Sequence, residues 1–130
     1  MLKNVIEVPG VAAADFPFNP AIRVGRLVFV SGQASVNDAG EIVAGTLEAE
    51  MRRSFDNVSK ILAAAGLGLK HVVQVRSYVS DRNLVDEYNR VYRTIFSHPF
   101  PARTTLYGCL EPGITYEVDV IADAECCLPN

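Results

Sequence analysis

Histidine and cysteine are scarce in this chain, two of the first and three of the second, and their scarcity removes several kinds of chemistry. A zinc site needs four nitrogen or sulfur ligands at favourable spacing, or three with an open position. His71 and His98 are far apart in sequence, Cys109 is isolated, Cys126 and Cys127 are adjacent, and no Cys-x-x-Cys occurs. No metal or other cofactor is therefore expected. An odd cysteine count in this arrangement gives no disulfide framework either, in keeping with a reducing compartment. Neither histidine has an evident serine or cysteine partner and Gly-x-Ser-x-Gly is missing, which sets serine- and cysteine-hydrolase chemistry aside. Gly-x-Gly-x-x-Gly and the Walker pattern are missing too, and with them the usual phosphate cradles.

Long apolar runs are also lacking. None approaches the ~18 residues of a membrane span, and Met1 to Pro9 has no signal-peptide apolar region. A cytoplasmic address, away from membranes, is the expectation. Positive charge is limited, with twelve Lys and Arg against fifteen acids and a net charge of −3. Binding nucleic acid needs a concentrated positive face, and the densest local pair, Arg52-Arg53, reads as the solvated side of a helix. No nucleic-acid partner is expected, and a nuclease has little support. What remains, 130 residues with 49% apolar and 21% charged, fits one domain over residues 1–130. At this size oligomerisation would help to cover apolar surface.

Periodicity supplies the elements. Lys3 to Val8 reads as a short strand ending at Pro9-Gly10, and Val11 to Pro20 as a loop. Ala21 to Val24 and Leu27 to Ser31 flank Gly25-Arg26, the size of a two-residue hairpin turn, and Gly32 ends the second strand. Asn37 to Gly40 is a turn signal. Leu47, Met51, Phe55, Val58, Leu62 and Ala65 make one helical stripe, with Thr46 as N-cap and Gly66 placed for a left-handed C-cap. Val72 to Val79 alternates as a half-buried strand, with Val73, Val75 and Val79 on one face. A second helix runs from Asn83 to Phe96, with the stripe Leu84, Tyr88, Val91, Tyr92, Ile95 and Phe96; Asp81 or Asn83 can cap it, and Pro99 and Pro101 stop it. Thr104 to Tyr107 and Tyr116 to Cys126 are the last strands. Two helices can cover only one face of such a sheet. The other face carries Glu117, Asp119, Ile121 and Asp123 and is a subunit-interface candidate.

Two charged residues stand out. Pro101 stiffens the approach to Arg103, and a rigidly presented guanidinium can bind a carboxylate through two parallel hydrogen bonds. The plainer alternative is a surface arginine paired with a nearby acid. Glu117 shares a sheet face with Asp119 about 7 Å away, and a half-buried carboxylate can hold a water and accept its proton. The alternative is a solvated face. Ser31-Gly32 can let backbone approach a ligand or can be a plain turn. Asn89 reads as a polar neighbour in the second helix. Phe16 and Phe18 are a lid or a plug over the core, the plug being favoured.

Taken together, these segments resemble the Rid (YjgF-like) family over nearly the whole chain. The most specific stretch is Phe100-Pro101-Ala102-Arg103-Thr104 followed by Tyr116-Glu117-Val118-Asp119-Val120-Ile121-Ala122. Phe29-Val30-Ser31-Gly32-Gln33, Asp56-Asn57-Val58, Ala63-Ala64-Ala65-Gly66 and Asn89-Arg90-Val91-Tyr92 with Phe96 support it. The resemblance implies an α+β, chorismate-mutase-like fold: a six-stranded, mainly antiparallel sheet with two helices on one face, assembled as a homotrimer with clefts between subunits. It implies a hydrolytic deaminase that turns reactive 2-imino or enamine acids into 2-keto acids and ammonia. Arg103 matches the carboxylate clamp and Glu117 the water-positioning acid, while Ser31, Gly32 and Asn89 match other cleft or motif positions. Two positions depart from the common pattern: Phe18 replaces a tyrosine and Thr105 a cysteine, both at substrate-binding places. A pathway-specific deaminase acting on an aminomuconate-like substrate, and a non-catalytic ligand-binding or chaperone-like trimer, are the alternatives.

Overall fold

Thr46 opens the longer helix as its side-chain oxygen accepts the Ala49 N–H at 3.2 Å, and Gly66, at φ +77°, lets the chain leave it. The structure is a computed structural model that describes residues 2–9 and 16–126. Gly10 of the expected turn, residues 11–15 of the expected loop and Cys127 lie outside them. The elements are β1 (Asn4–Val5), β2 (Ala21–Val24), β3 (Leu27–Ala34), α1 (Leu47–Ala64), β4 (Val72–Val79), α2 (Val85–Ile95), β5 (Ala102–Tyr107) and β6 (Tyr116–Asp123). This is the expected order. The six strands form one sheet in the order β1-β2-β3-β6-β4-β5. All neighbours run antiparallel except β4 and β5, which α2 joins as a crossover. No helix among the described residues is long and apolar enough to cross a membrane.

The core lies between the sheet and the two helices. α1 contributes Leu47, Met51, Phe55, Val58, Ile61 and Leu62, and the sheet answers with Val28, Val30, Val75, Val79, Val118, Val120 and Ala122. An aromatic cluster of Phe55, Tyr88, Tyr92, Phe96 and Tyr116 fills the middle, with ring centroids 5.0 to 6.5 Å apart. Glu50, within the α1 stripe, is 1% exposed. Its two carboxylate oxygens accept the N–H of Gly45 at 3.3 Å and of Thr115 at 3.0 Å, tying α1 to the entrance of β6.

Local differences from the sequence reading have physical causes. β1 pairs over two residues, Asn4 with Arg23 and Val5 with Ile22, instead of the span Lys3 to Val8. β3 does not end at Gly32: a register shift between Val30 and Gln33 lets it continue to Ala34. A second shift at the start of β4 turns Val72 into the core and leaves Val73 36% exposed. β6 stops at Asp123, whose carboxylate holds Arg26 and accepts the Glu125 N–H, so Cys126 falls in a turn. Asp81 caps a 3₁₀ turn (Arg82–Leu84) that leads into α2; Asn83 donates its backbone N–H to Asp81 and caps nothing itself. Phe16 and Phe18 are 72% and 54% exposed and stack on each other, so they do not plug the core. Ala21 already seals that end from the helix side, and the Phe18 ring stands against the opposite face of the sheet.

Candidate active site

Strand alternation decides where the candidate residues point. Arg103 pairs with Val75 and Thr105 with Ser77, both buried beneath the helices, so Arg103 and Thr105 face the helix side. The Arg103 guanidinium carbon sits 4.7 Å from the Tyr88 ring centroid and 4.8 Å from that of Tyr92. Its flat face is thus occupied by two aromatic rings, a cation–π support. No carboxylate among the described residues lies within ion-pair distance of it, so the surface ion pair allowed by the sequence is not formed. The N–H groups on its edge remain available to a planar acceptor. Asn89, next to Tyr88 in α2, is half-buried and has no side-chain hydrogen bond among the described residues. The Thr105 hydroxyl lies 2.8 Å from the Tyr88 hydroxyl.

Glu117 points the other way. It pairs with Tyr78 of β4 and Ala34 of β3, and its side chain leaves the sheet on the face that no helix covers. The side chain lies against Gly32: a Cβ there would stand 3.4 Å from its carboxyl carbon and one oxygen. The carboxylate is half-buried and has no hydrogen-bond or ion-pair partner among the described residues. Burial is the main reason its pKa is raised, with the negative charges of Asp119 and Glu111 adding to it. Asp119, the acid nearest Glu117 along the strand on this face, is differently placed. It accepts Arg76 Nε–H at 2.8 Å and the Tyr78 hydroxyl at 2.7 Å. Phe18, Ser31 and Gly32 line a shallow depression on the same face, together with Phe29, Arg76 and Ile121. The Ser31 hydroxyl donates to the Asn19 carbonyl at 2.6 Å, fixing the loop that carries Phe18.

The candidate residues therefore fall on opposite faces of one sheet. Phe18, Ser31, Gly32 and Glu117 lie on the open face, Arg103 and Thr105 on the helix side, and one copy alone does not bring Arg103 to Glu117. The reading of Tyr88 and Tyr92 as plain core omitted their second use beneath Arg103. Their spacing of four residues was the available signal, but nothing local linked them to a strand that begins at Ala102. Alternation puts Arg76 with Tyr78 on one face of β4 and Asp119 with Glu117 on one face of β6, and only the strand pairing makes these a single face.

The family model described as endoribonuclease L-PSP matches residues 10–124. Mouse 2-iminobutanoate/2-iminopropanoate deaminase is 30% identical over 124 residues, covering 94% of this chain and 92% of that protein. Among solved structures, the Yersinia pestis protein YyfA, described as a member of the conserved Rid family, superposes with a TM-score of 0.85 at 29% identity, covering 94% of this chain and 99% of that one. Escherichia coli TdcF with bound serine gives a TM-score of 0.80 at 29% identity, covering 92% and 98%. With this match in sequence and in fold, the chain belongs to the endoribonuclease L-PSP family, the Rid proteins.

Proposed function

We propose that the chain is a hydrolytic deaminase acting on 2-imino or enamine acids, and that its active site forms between copies, Arg103 from one and Glu117 from another. The observation that carries this is the pair of half-sites: a guanidinium with edge N–H groups on one face and an acid of raised pKa on the other, neither with an ion-pair partner among the described residues. A face-to-edge contact that repeats around a ring brings every Arg103 to a neighbouring Glu117. A homotrimer, as the family resemblance implies, is one such ring. The names of relatives support the reaction class, since the mouse protein is named an imine deaminase. TdcF, crystallised with serine, supports a ligand that carries a carboxylate.

The chemistry needs little more than these groups. Arg103 holds the substrate carboxylate by two parallel hydrogen bonds, which fixes the neighbouring imine carbon. Glu117, as carboxylate, accepts a proton from a water as the water oxygen bonds to that carbon and the C=N electrons move to nitrogen. The resulting carbinolamine takes the proton back on nitrogen. Its C–N bond then breaks as Glu117, a carboxylate again, takes the hydroxyl proton and the oxygen forms the keto C=O, releasing ammonia and a 2-keto acid; Glu117 passes that proton to solvent. An acid that must both accept and return a proton is served by a pKa above the ordinary carboxylate value, and burial beside Asp119 moves Glu117 in that direction. The net charge of −3 gives no support to the nuclease in the family's description.

The test generates 2-iminobutanoate in situ and follows its loss with wild-type protein and with Arg103→Ala. Faster loss with wild type, abolished in the variant, is expected. Equal rates for the two would leave a ligand-binding protein in place of an enzyme.

A further inference from the structure

We infer that Tyr88 and Thr105 act as a positioning pair for Arg103, so that Thr105 serves the carboxylate clamp through Tyr88 instead of touching the ligand itself. This rests on the reading of Arg103 as a carboxylate clamp. β5 places Arg103 and Thr105 two residues apart on one face, and Tyr88 meets both: its ring lies under the guanidinium and its hydroxyl is 2.8 Å from the Thr105 oxygen. Tyr88 is fully buried and packs against Tyr92 and Tyr116. The hydroxyl lies on the long axis of the ring, so holding that oxygen fixes where the axis points, and with it the position of the ring beneath the guanidinium, while packing against Tyr92 and Tyr116 sets the rotation of the ring face about that axis.

The second ring of the platform differs. The Tyr92 hydroxyl is buried with no hydrogen-bond partner among the described residues, and burial, then Tyr88, pushes its pKa up to about 12. Packing alone orients Tyr92, whereas Tyr88 is tethered, and the tether returns to the strand that carries Arg103. A long arginine side chain loses much rotamer freedom on binding a carboxylate, and a platform set beforehand lowers that cost. The pair thus acts on ligand binding far more than on the chemical step.

The experiment measures 2-oxobutanoate binding by calorimetry, and KM and kcat for 2-iminobutanoate, in Tyr88→Phe, Thr105→Val, the double variant and Thr105→Ser. Removing either hydroxyl raises Kd and KM about three- to tenfold, the range of one net hydrogen bond, with kcat much less affected. The double variant is no worse than the worse single one, because both changes delete the same interaction. Thr105→Ser, which keeps the oxygen, recovers the wild-type Kd. Weakening by Thr105→Val but not by Tyr88→Phe would make Thr105 a direct ligand contact and overturn the inference. So would additive losses, unchanged binding in both single variants, or failure of serine to rescue. A wild type that binds 2-oxobutanoate but hydrolyses no imine removes the deaminase reading and leaves the Kd series to decide the positioning pair. Neither binding nor turnover would remove both.

Discussion

Arg103 and Glu117 stand on strands of one sheet, yet they are kept available for chemistry by opposite means. On the helix side the cation is supported from beneath: Tyr88 and Tyr92 present their ring faces to it, and the polar edge is left for a ligand. On the open side the acid is kept by withholding a partner. Arg76 on that face is engaged by Asp119, two positions along the strand pair from Glu117, and Asp119 also accepts the Tyr78 hydroxyl. Glu117 is left with burial and like charge, so its pKa rises where an arginine contact would have lowered it. A guanidinium loses little by lying on aromatic carbon, whereas a carboxylate beside a cation would be a poor base. Each group has the neighbourhood that its proposed task needs.

The strongest way to break this comparison is to remove the cation. Arg103→Ala should lower kcat/KM for 2-iminobutanoate by roughly 10²-fold or more, the scale for truncating one partner of a desolvated charge pair. Its side chain is exposed at the sheet edge, so the thermal midpoint should shift little. Glu117→Gln comes next, with kcat falling by about 10²-fold and KM nearly unchanged, as for loss of a general base. Stability should move the other way. A carboxyl whose folded pKa is raised is favoured as the neutral acid, so its ionisation costs stability, absent below the ordinary carboxylate pKa and growing as pH rises through the raised value. Calorimetry should therefore find Glu117→Gln at neutral pH at least as stable as wild type. A clear loss there would mean that the acid is paired in solution.

Mixing the two inactive variants sharpens the comparison further. If each site takes Arg103 from one copy and Glu117 from the next, oligomers refolded from equal amounts of Arg103→Ala and Glu117→Gln should regain about one quarter of wild-type activity, since that share of random neighbours joins two intact half-sites in a closed ring. Both groups from one copy would give no recovery at all. The imine assay on co-refolded protein decides between them.

Much of the fold was legible because burial of apolar side chains is periodic. The α1 stripe from Leu47 to Leu62 and the alternation Val118, Val120, Ala122 put their residues in the core as read. Boundaries failed where single long-range contacts set them: the Arg26 grip on Asp123 ends β6, and register shifts redirect Val73 and carry β3 past Gly32. The candidate site was legible as residues but not as geometry. Alternation could show that Glu117 shares a face with Asp119, but only the β4 pairing reveals that Arg103 follows Val75 to the other face. The ring platform was invisible for a similar reason, since Tyr88 and Tyr92 satisfy a core stripe whether or not a guanidinium lies on them.

The smallest expected effect concerns Asp119, which raises the Glu117 pKa after burial itself and before Glu111. Asp119→Asn removes a negative charge from the face and releases Arg76 from its ion pair. Both changes favour ionised Glu117, so both lower its pKa. If Glu117 is the proton acceptor, the acidic limb of the kcat profile must move to lower pH in this variant, and measuring rates from acid to neutral pH checks it. The direction carries the argument. Movement to higher pH, or no movement, would mean that the group controlling that limb does not feel the open face of the sheet, and Glu117 would lose its place in the proton transfer. Burial remains in the variant, so part of the elevation persists, which is why the shift ranks below every loss described for Arg103 and Glu117.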